Sequence, residues 1–221
     1  MFSYIYMKIL ESQPERYDRG IALISLGASE RAKKKLIEEN VSPGSQVLEI
    51  GCGTGTMAIM AAQKGAGVLG FDFSAAMLAV ARRKIAAENL DEQVELLEMG
   101  LSGMDKLPDD QYDLVVSTLV FSELSPDEQT YALKHAFRTL KPGARLAVAD
   151  EARPKILWKR ILHALIRIPM LLITFILTQT TTKAVENLPE RVERAGFHVD
   201  KEERSLLGSF VYLTATKEKG R

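Results

Sequence analysis

From Gln46 onward the chain alternates short apolar runs with longer stretches of helical period, and turn or cap residues mark each switch. Val47 to Ile50 reads as a first strand, set off by the breaker Pro43-Gly44. Ala66 to Phe71 reads as a second that ends on Asp72. Ser74 then caps a helix with Met77, Leu78, Ala81 and Ile85 on one face. Val94 to Leu97 is a third strand, and Tyr112 to Thr118 is a fourth, apolar enough to be central. Ser125-Pro126-Asp127-Glu128 has the form of a capping box with proline at the first helical position. It opens a helix displaying Leu133, Ala136, Phe137 and Leu140, which Lys141-Pro142-Gly143 stops before a fifth strand, Arg145 to Ala149. Gly196 to Glu203 and Phe210 to Thr216 read as two more strands around Leu207-Gly208. The pattern predicts one α/β domain built on a mostly parallel, Rossmann-like seven-stranded sheet with helices on both faces. Its expected parts are an N-terminal helical cap (1–40), a core (45–150), a helical insertion between strands five and six (155–190) and a C-terminal strand pair (195–217).

The insertion has an unusual pattern. Lys155, Lys159, His163 and Arg167 recur every fourth residue and form one basic stripe, with Trp158, Ile161, Leu162, Leu165 and Ile166 largely away from it. Ile168 to Leu177 is then apolar nearly throughout. A membrane span needs about 20 apolar residues, and Lys159, Arg160 and Arg167 interrupt any such window. The open readings are a helix packed on the sheet with its basic edge in water, a lid over an acceptor site, an interfacial helix giving peripheral membrane contact through 155–178, or a docking surface for a protein or homodimer partner.

Composition narrows the partners. The 221 residues carry 29 basic and 29 acidic side chains, so no global field points to nucleic acid. The single cysteine, Cys52, excludes an intrachain disulfide and a cysteine metal cluster, which suits a cytoplasmic location. His135, His163 and His198 show no ligand spacing, and the N-terminus lacks the basic region and cleavage site of a signal peptide.

The chemistry concentrates where the first strand ends, in Val47-Leu48-Glu49-Ile50-Gly51-Cys52-Gly53-Thr54-Gly55. Glycines on alternate positions between a strand and a helix let the main chain come within contact distance of a polar ligand at unpaired helix N–H groups. A dinucleotide is the nearest competitor. Its fingerprint is G-x-G-x-x-G/A, but here the third glycine, Gly55, falls one position early and Thr56 stands where a small residue belongs. Glu49, two residues before the first glycine, is an awkward charge beside a pyrophosphate and suits a cationic amine and sulfonium better.

The stretch resembles the acid-x-G-x-G-x-G motif of the class I S-adenosylmethionine-dependent methyltransferases, whose sheet also has seven strands with the last inserted antiparallel. The resemblance implies S-adenosylmethionine as cofactor and S-adenosylhomocysteine as product. It also implies that Glu49, Gly51, Gly53 and Gly55, which match position by position, handle the amino acid end. Cys52 between them reads as a small buried filler along that wall. Asp72 closes the second strand where a two-acceptor group suits the ribose diol, with Phe73 and Met77 beside it. After the third strand, either the main chain of Met99, Gly100 and Leu101 holds adenine with Glu98 still in the strand, or Asp105 reaches back. Ser117 and Thr118 should pass under the methionine part, and Phe121-Ser122-Glu123 should face the methyl group.

Two further resemblances lie outside the core. Arg16-Tyr17-Asp18 with Ser25-Leu26-Gly27 parallels the ubiquinone and menaquinone C-methyltransferases, in which an N-terminal helix closes over the cofactor and its tyrosine, here Tyr17, contacts it. Tyr6 to Ser12, Pro14 to Ile21, Ala149 to Pro154 and Leu177 to Thr182 look like the methyltransferases named for their association with corrinoid proteins, which implies a corrinoid protein as a partner. The methyl donor is already activated, so the enzyme mainly has to align it with the acceptor and exclude water. If the acceptor must lose a proton, Glu123, Asp150 and His163 are the candidate bases. A protein that binds the cofactor and regulates a methyl-transfer partner without turnover is the rival reading, and a quinone or other lipid-like acceptor at a membrane surface is another.

Overall fold

The structure, a computed structural model, describes Asp18, residues 27–152 and residues 184–218. The first half runs α1 (Ala28–Asn40), β1 (Gln46–Ile50), α2 (Thr56–Gln63), β2 (Gly67–Asp72), α3 (Ala75–Ala87) and β3 (Val94–Glu98). A 3-10 turn over Leu101–Lys106 leads to β4 (Tyr112–Thr118), α4 (Pro126–Thr139) and β5 (Leu140–Glu151). The chain closes with α5 (Leu188–Arg194), β6 (Phe197–Ser205) and β7 (Phe210–Lys217).

All seven strands form one sheet in the order β3-β2-β1-β4-β5-β7-β6. The strands β1 to β5 pair in parallel, and β7 lies antiparallel between β5 and β6. Strand order runs outward in one direction from β1 to β3 and in the other from β4 to β5, so a crevice opens between the carboxyl ends of β1 and β4.

Alternation along each strand sorts the core into two layers. Val47, Val68 and Leu114 pack on Leu36 and Ile37 of α1, Met57 of α2 and Ile85 of α3. Leu48, Ile50 and Val115 pack on Leu133 and Ala136 of α4 and on Leu188 and Val192 of α5. Glu49 lies between Leu48 and Ile50, so the same alternation sends its side chain to the α1 layer, into the protein interior. The capping box forms as the sequence implies: Ser125 N–H donates to Glu128 Oε2 at 2.8 Å, and Glu128 N–H donates to Ser125 Oγ at 3.3 Å.

The fifth strand departs from expectation. It begins at Leu140 and not at Arg145, because the backbone turns extended directly after Thr139. Leu140 pairs with Tyr112, and the next pairing joins Arg145 to Leu114. Lys141 to Ala144 therefore form a bulge, a place where proline does not break the ladder.

Candidate active site

A cleft of about 710 Å³, open mouth included, occupies the crevice at the ends of β1 to β4. Gly51 and Gly53 form its floor, Asp72, Phe73, Ser74 and Met77 one side, Met99, Gly100 and Leu101 another, and Thr118, Leu119, Val120, Glu123 and Leu124 the third.

The turn after β1 holds Gly51, Gly53 and Gly55 at φ of 67°, 51° and 74°, which side-chain-bearing residues rarely adopt. A Cβ on Gly51 would come 2.4 Å from Val120 Cγ2, so this glycine lets the loop after β4 close onto the turn. A Cβ on Gly53 would meet nothing within 4 Å. One on Gly55 would come 3.0 Å from Ala81 Cβ, so Gly55 seats α2 against α3 and does not line the cleft.

Asp72, at the end of β2, is bound to this turn. Its Oδ2 accepts from Gly53 N–H and its Oδ1 from Ser74 N–H, both at 2.9 Å. Ser74 Oγ in turn accepts from Met77 N–H at 3.3 Å and caps α3, so capping falls to Ser74 and Asp72 stays on the cleft wall.

Glu49 is 3% exposed, and its Oε2 has no hydrogen-bond partner among the described residues. Burial pushes its carboxyl up to about 8, and the Asp72 charge adds to this, against a downward pull from Lys33, Ala58 N–H and Lys84. Its side chain lines a second, smaller cavity beneath the glycine turn, together with Lys33, Cys52, Thr54, Thr56, Met57 and Thr118. Lys33 is itself only 8% exposed. Cys52 is a buried filler, and burial, then the Glu49 and Asp72 charges, keep its thiol protonated.

On the β3 side, Glu98 ends the strand, paired in register with Asp72, and is exposed. The cleft wall is formed by Met99, Gly100 and Leu101, and Asp105 does not reach it. On the β4 side, Ser117 is fully buried, donates from Oγ to Ile50 O at 3.2 Å and fastens β4 to β1, away from the cleft. Thr118 lies on the wall. Leu119, with φ of 60°, starts the loop that carries Glu123, a strained residue of the kind found at functional sites.

Of Phe121, Ser122 and Glu123, the structure puts only Glu123 on the cleft. Phe121 is 0% exposed in the α4 layer, where Gln129 Nε2 donates to its carbonyl at 2.8 Å, and Ser122 is buried. Asp150, at the end of β5, is 0% exposed and stays off the cleft wall. It accepts from Ser122 N–H at 3.3 Å and Glu151 N–H at 2.7 Å, and burial pushes it up to about 7. Its place is under the Glu123 loop. Tyr17, His163 and the stretch 155–182 lie outside the described residues, and the insertion 155–190 is described only from 184 on.

Reading along the chain misses Lys33 and Lys84. A buried acid needs nearby cations, but only the folded sheet shows that α1 and α3 supply them.

Residues 47–143 match a family model described as a methyltransferase domain. A demethylmenaquinone methyltransferase of Listeria monocytogenes is 32% identical over 168 residues, covering 74% of this chain and 69% of that protein. The protein of the same name in Thermus thermophilus is 34% identical over 142 residues, covering 63% of this chain and 62% of that one. A solved S-adenosylmethionine-dependent methyltransferase of Aquifex aeolicus shares the fold, with a TM-score of 0.65 at 20% identity over 93% of this chain and 97% of that one. The chain therefore belongs to the class I S-adenosylmethionine-dependent methyltransferases. It is an enzyme of methyl transfer.

Proposed function

We propose that the protein methylates a quinone-like acceptor, an electron-rich aromatic ring with an apolar substituent, using S-adenosylmethionine. The observation that carries this reading is the third side of the cleft, where the apolar Leu119, Val120 and Leu124 flank the one acid on that wall, Glu123. The demethylmenaquinone methyltransferases similar to this chain support the same acceptor class. No helix among the described residues is long and apolar enough to cross a membrane.

Two observations fit the cofactor. Glu49 offers a buried carboxyl oxygen without a hydrogen-bond partner among the described residues, where a cationic amino acid end would favour the ionised form, and the space above Gly53 is free for a ligand. Asp72 would hold the ribose and the main chain of Met99 to Leu101 the adenine, with Thr118 beside the methionine chain. When bound, the cofactor supplies a methyl carbon already activated by a positively charged sulfur. The chain's own residues then have three tasks. The apolar walls keep water from the reaction, the loop after β4 aligns the acceptor, and Glu123 takes the proton the ring gives up.

The test is transfer of label from S-adenosylmethionine carrying a labelled methyl group to short-chain demethylmenaquinol. Label in the quinol supports the reading. Cofactor binding with no label in the quinol overturns the acceptor assignment, and label in a corrinoid-linked acceptor would replace it.

A further inference from the structure

On the side of the glycine turn away from the cleft, four polar side chains from three distant parts of the chain meet. Thr54 Oγ1 and Thr56 Oγ1 donate to Asp18 Oδ1 at 2.8 and 3.2 Å. Lys84 Nζ, on α3, donates to Asp18 Oδ2 at 2.9 Å and to Thr56 Oγ1 at 3.0 Å. Asp18 stands 36 residues before Thr54, and Lys84 stands 30 after it. Each is a side chain-to-side chain contact, outside the helix and strand ladders.

We propose that Asp18 and Lys84 are positioning residues that clamp Thr54 and Thr56, and so hold the glycine turn in the form that receives the cofactor. This rests on the reading of the cleft as an S-adenosylmethionine site. The turn from Gly51 to Gly55 has three glycines, and ordering glycine costs more backbone entropy than ordering any other residue. Asp72 holds the turn by a main-chain N–H, that of Gly53. Of the side chains between 51 and 56, Cys52 is buried in the protein, which leaves the two threonines as the side chains by which the turn can be gripped. The clamp takes both of them.

The electrostatics agree. The Asp18 and Lys84 side chains are 33% and 34% exposed, so the pair is partly withdrawn from solvent screening. Burial pushes the Asp18 carboxyl up, but hydrogen bonding and charge from Lys84, together with Thr54 and Lys33, outweigh it and hold the group below its ordinary value. Asp18 is thus ionised and accepts from every donor that reaches it. The gripped threonines also wall the cavity into which Glu49 points, so a slack clamp would disturb both faces of the turn.

The test uses Lys84→Met, Asp18→Asn and their combination in the full chain, with two readouts. S-adenosylmethionine affinity is measured by titration calorimetry, and hydrogen exchange is followed for the amides of residues 51–57 without cofactor. Each single variant should weaken binding by about tenfold, the scale of a lost hydrogen bond between charged groups. The double variant should be no weaker than the worse single one, and exchange in the turn should speed up. Lys84→Arg should restore most of the affinity. Unchanged affinity and unchanged turn exchange in Lys84→Met would overturn the proposal, even if the melting temperature falls. If the wild-type protein fails to bind S-adenosylmethionine, the cofactor reading falls, and exchange in the turn still decides whether the clamp holds it.

Discussion

Gly53 N–H donates to Asp72 Oδ2 across the end of the sheet, at 2.9 Å. The glycine turn and the acid that follows it 19 residues later are therefore one unit. The carboxylate stabilises the turn with one oxygen and the start of α3 with the other, and it still faces the cleft. Replacing it with alanine should raise the dissociation constant for S-adenosylmethionine by about tenfold or more, the scale of a lost charged hydrogen bond. Asp72→Asn, which keeps one acceptor oxygen, should fall between the two. Titration calorimetry with S-adenosylmethionine and S-adenosylhomocysteine measures both.

Glu49 makes stability depend on pH. Its folded-state value of about 8 lies above the ordinary 4.5, so between these pH values the folded chain holds a proton that the unfolded chain has released. Stability from this group is then fully present below the ordinary value and is lost as pH rises toward the folded value, with a slope of up to about 1.4 kcal/mol per pH unit. Glu49→Gln removes the titration. Urea unfolding at several pH values should show wild type losing ground to this variant as pH rises from 5 to 8, and a constant difference would contradict the assignment.

Much of this was legible along the chain, for reasons that differ by residue. Tyr112–Thr118, with the apolar Leu114-Val115-Val116 at its centre, is apolar enough to be a central strand, and the box at Ser125 and Glu128 carries its own hydrogen bonds, so neither depends on the rest of the fold. Glu49 and Asp72 were readable because each sits at a strand end whose direction the alternation sets. Phe121 was misplaced because a loop has no period to show which way a side chain turns. The start of β5 was missed because Lys-Pro-Gly announces where a helix stops, and gives no sign that pairing with Tyr112 begins at once. Lys33 and Lys84 act on the site from helices that come together only in the folded sheet.

Asp150 separates positioning from proton transfer. It lies off the cleft and binds the N–H groups of Ser122 and Glu151, next to the residue that carries Glu123 into the site. Asp150→Ala leaves both donors without that acceptor, a cost of about 1–3 kcal/mol for each unsatisfied group. Stability and kcat should both fall while S-adenosylmethionine affinity is little changed. Asp150→Asn, similar in shape, should recover most of the stability. A role as base would instead abolish turnover in Asp150→Asn at full stability, and denaturation together with steady-state kinetics distinguishes the two.

The two glycines on the cleft floor should fail differently when each becomes alanine. At Gly53 the added methyl meets no protein atom within 4 Å, so the folded chain bears only the left-handed backbone strain at φ of 51°. That strain is about 1–2 kcal/mol. The methyl would project into space a ligand needs, so Gly53→Ala should keep its fold and lose most of its affinity for S-adenosylmethionine. At Gly51 the methyl would lie 2.4 Å from Val120 Cγ2, and a β-branched side chain on a tight loop has no flexible end to move aside. Overpacking adds to the backbone strain there, for a total of about 2–5 kcal/mol. Gly51→Ala should therefore lose stability as well as binding. Melting temperature and cofactor titration on the two variants give the comparison, and a Gly53→Ala protein that binds as wild type does would move the cofactor away from the turn.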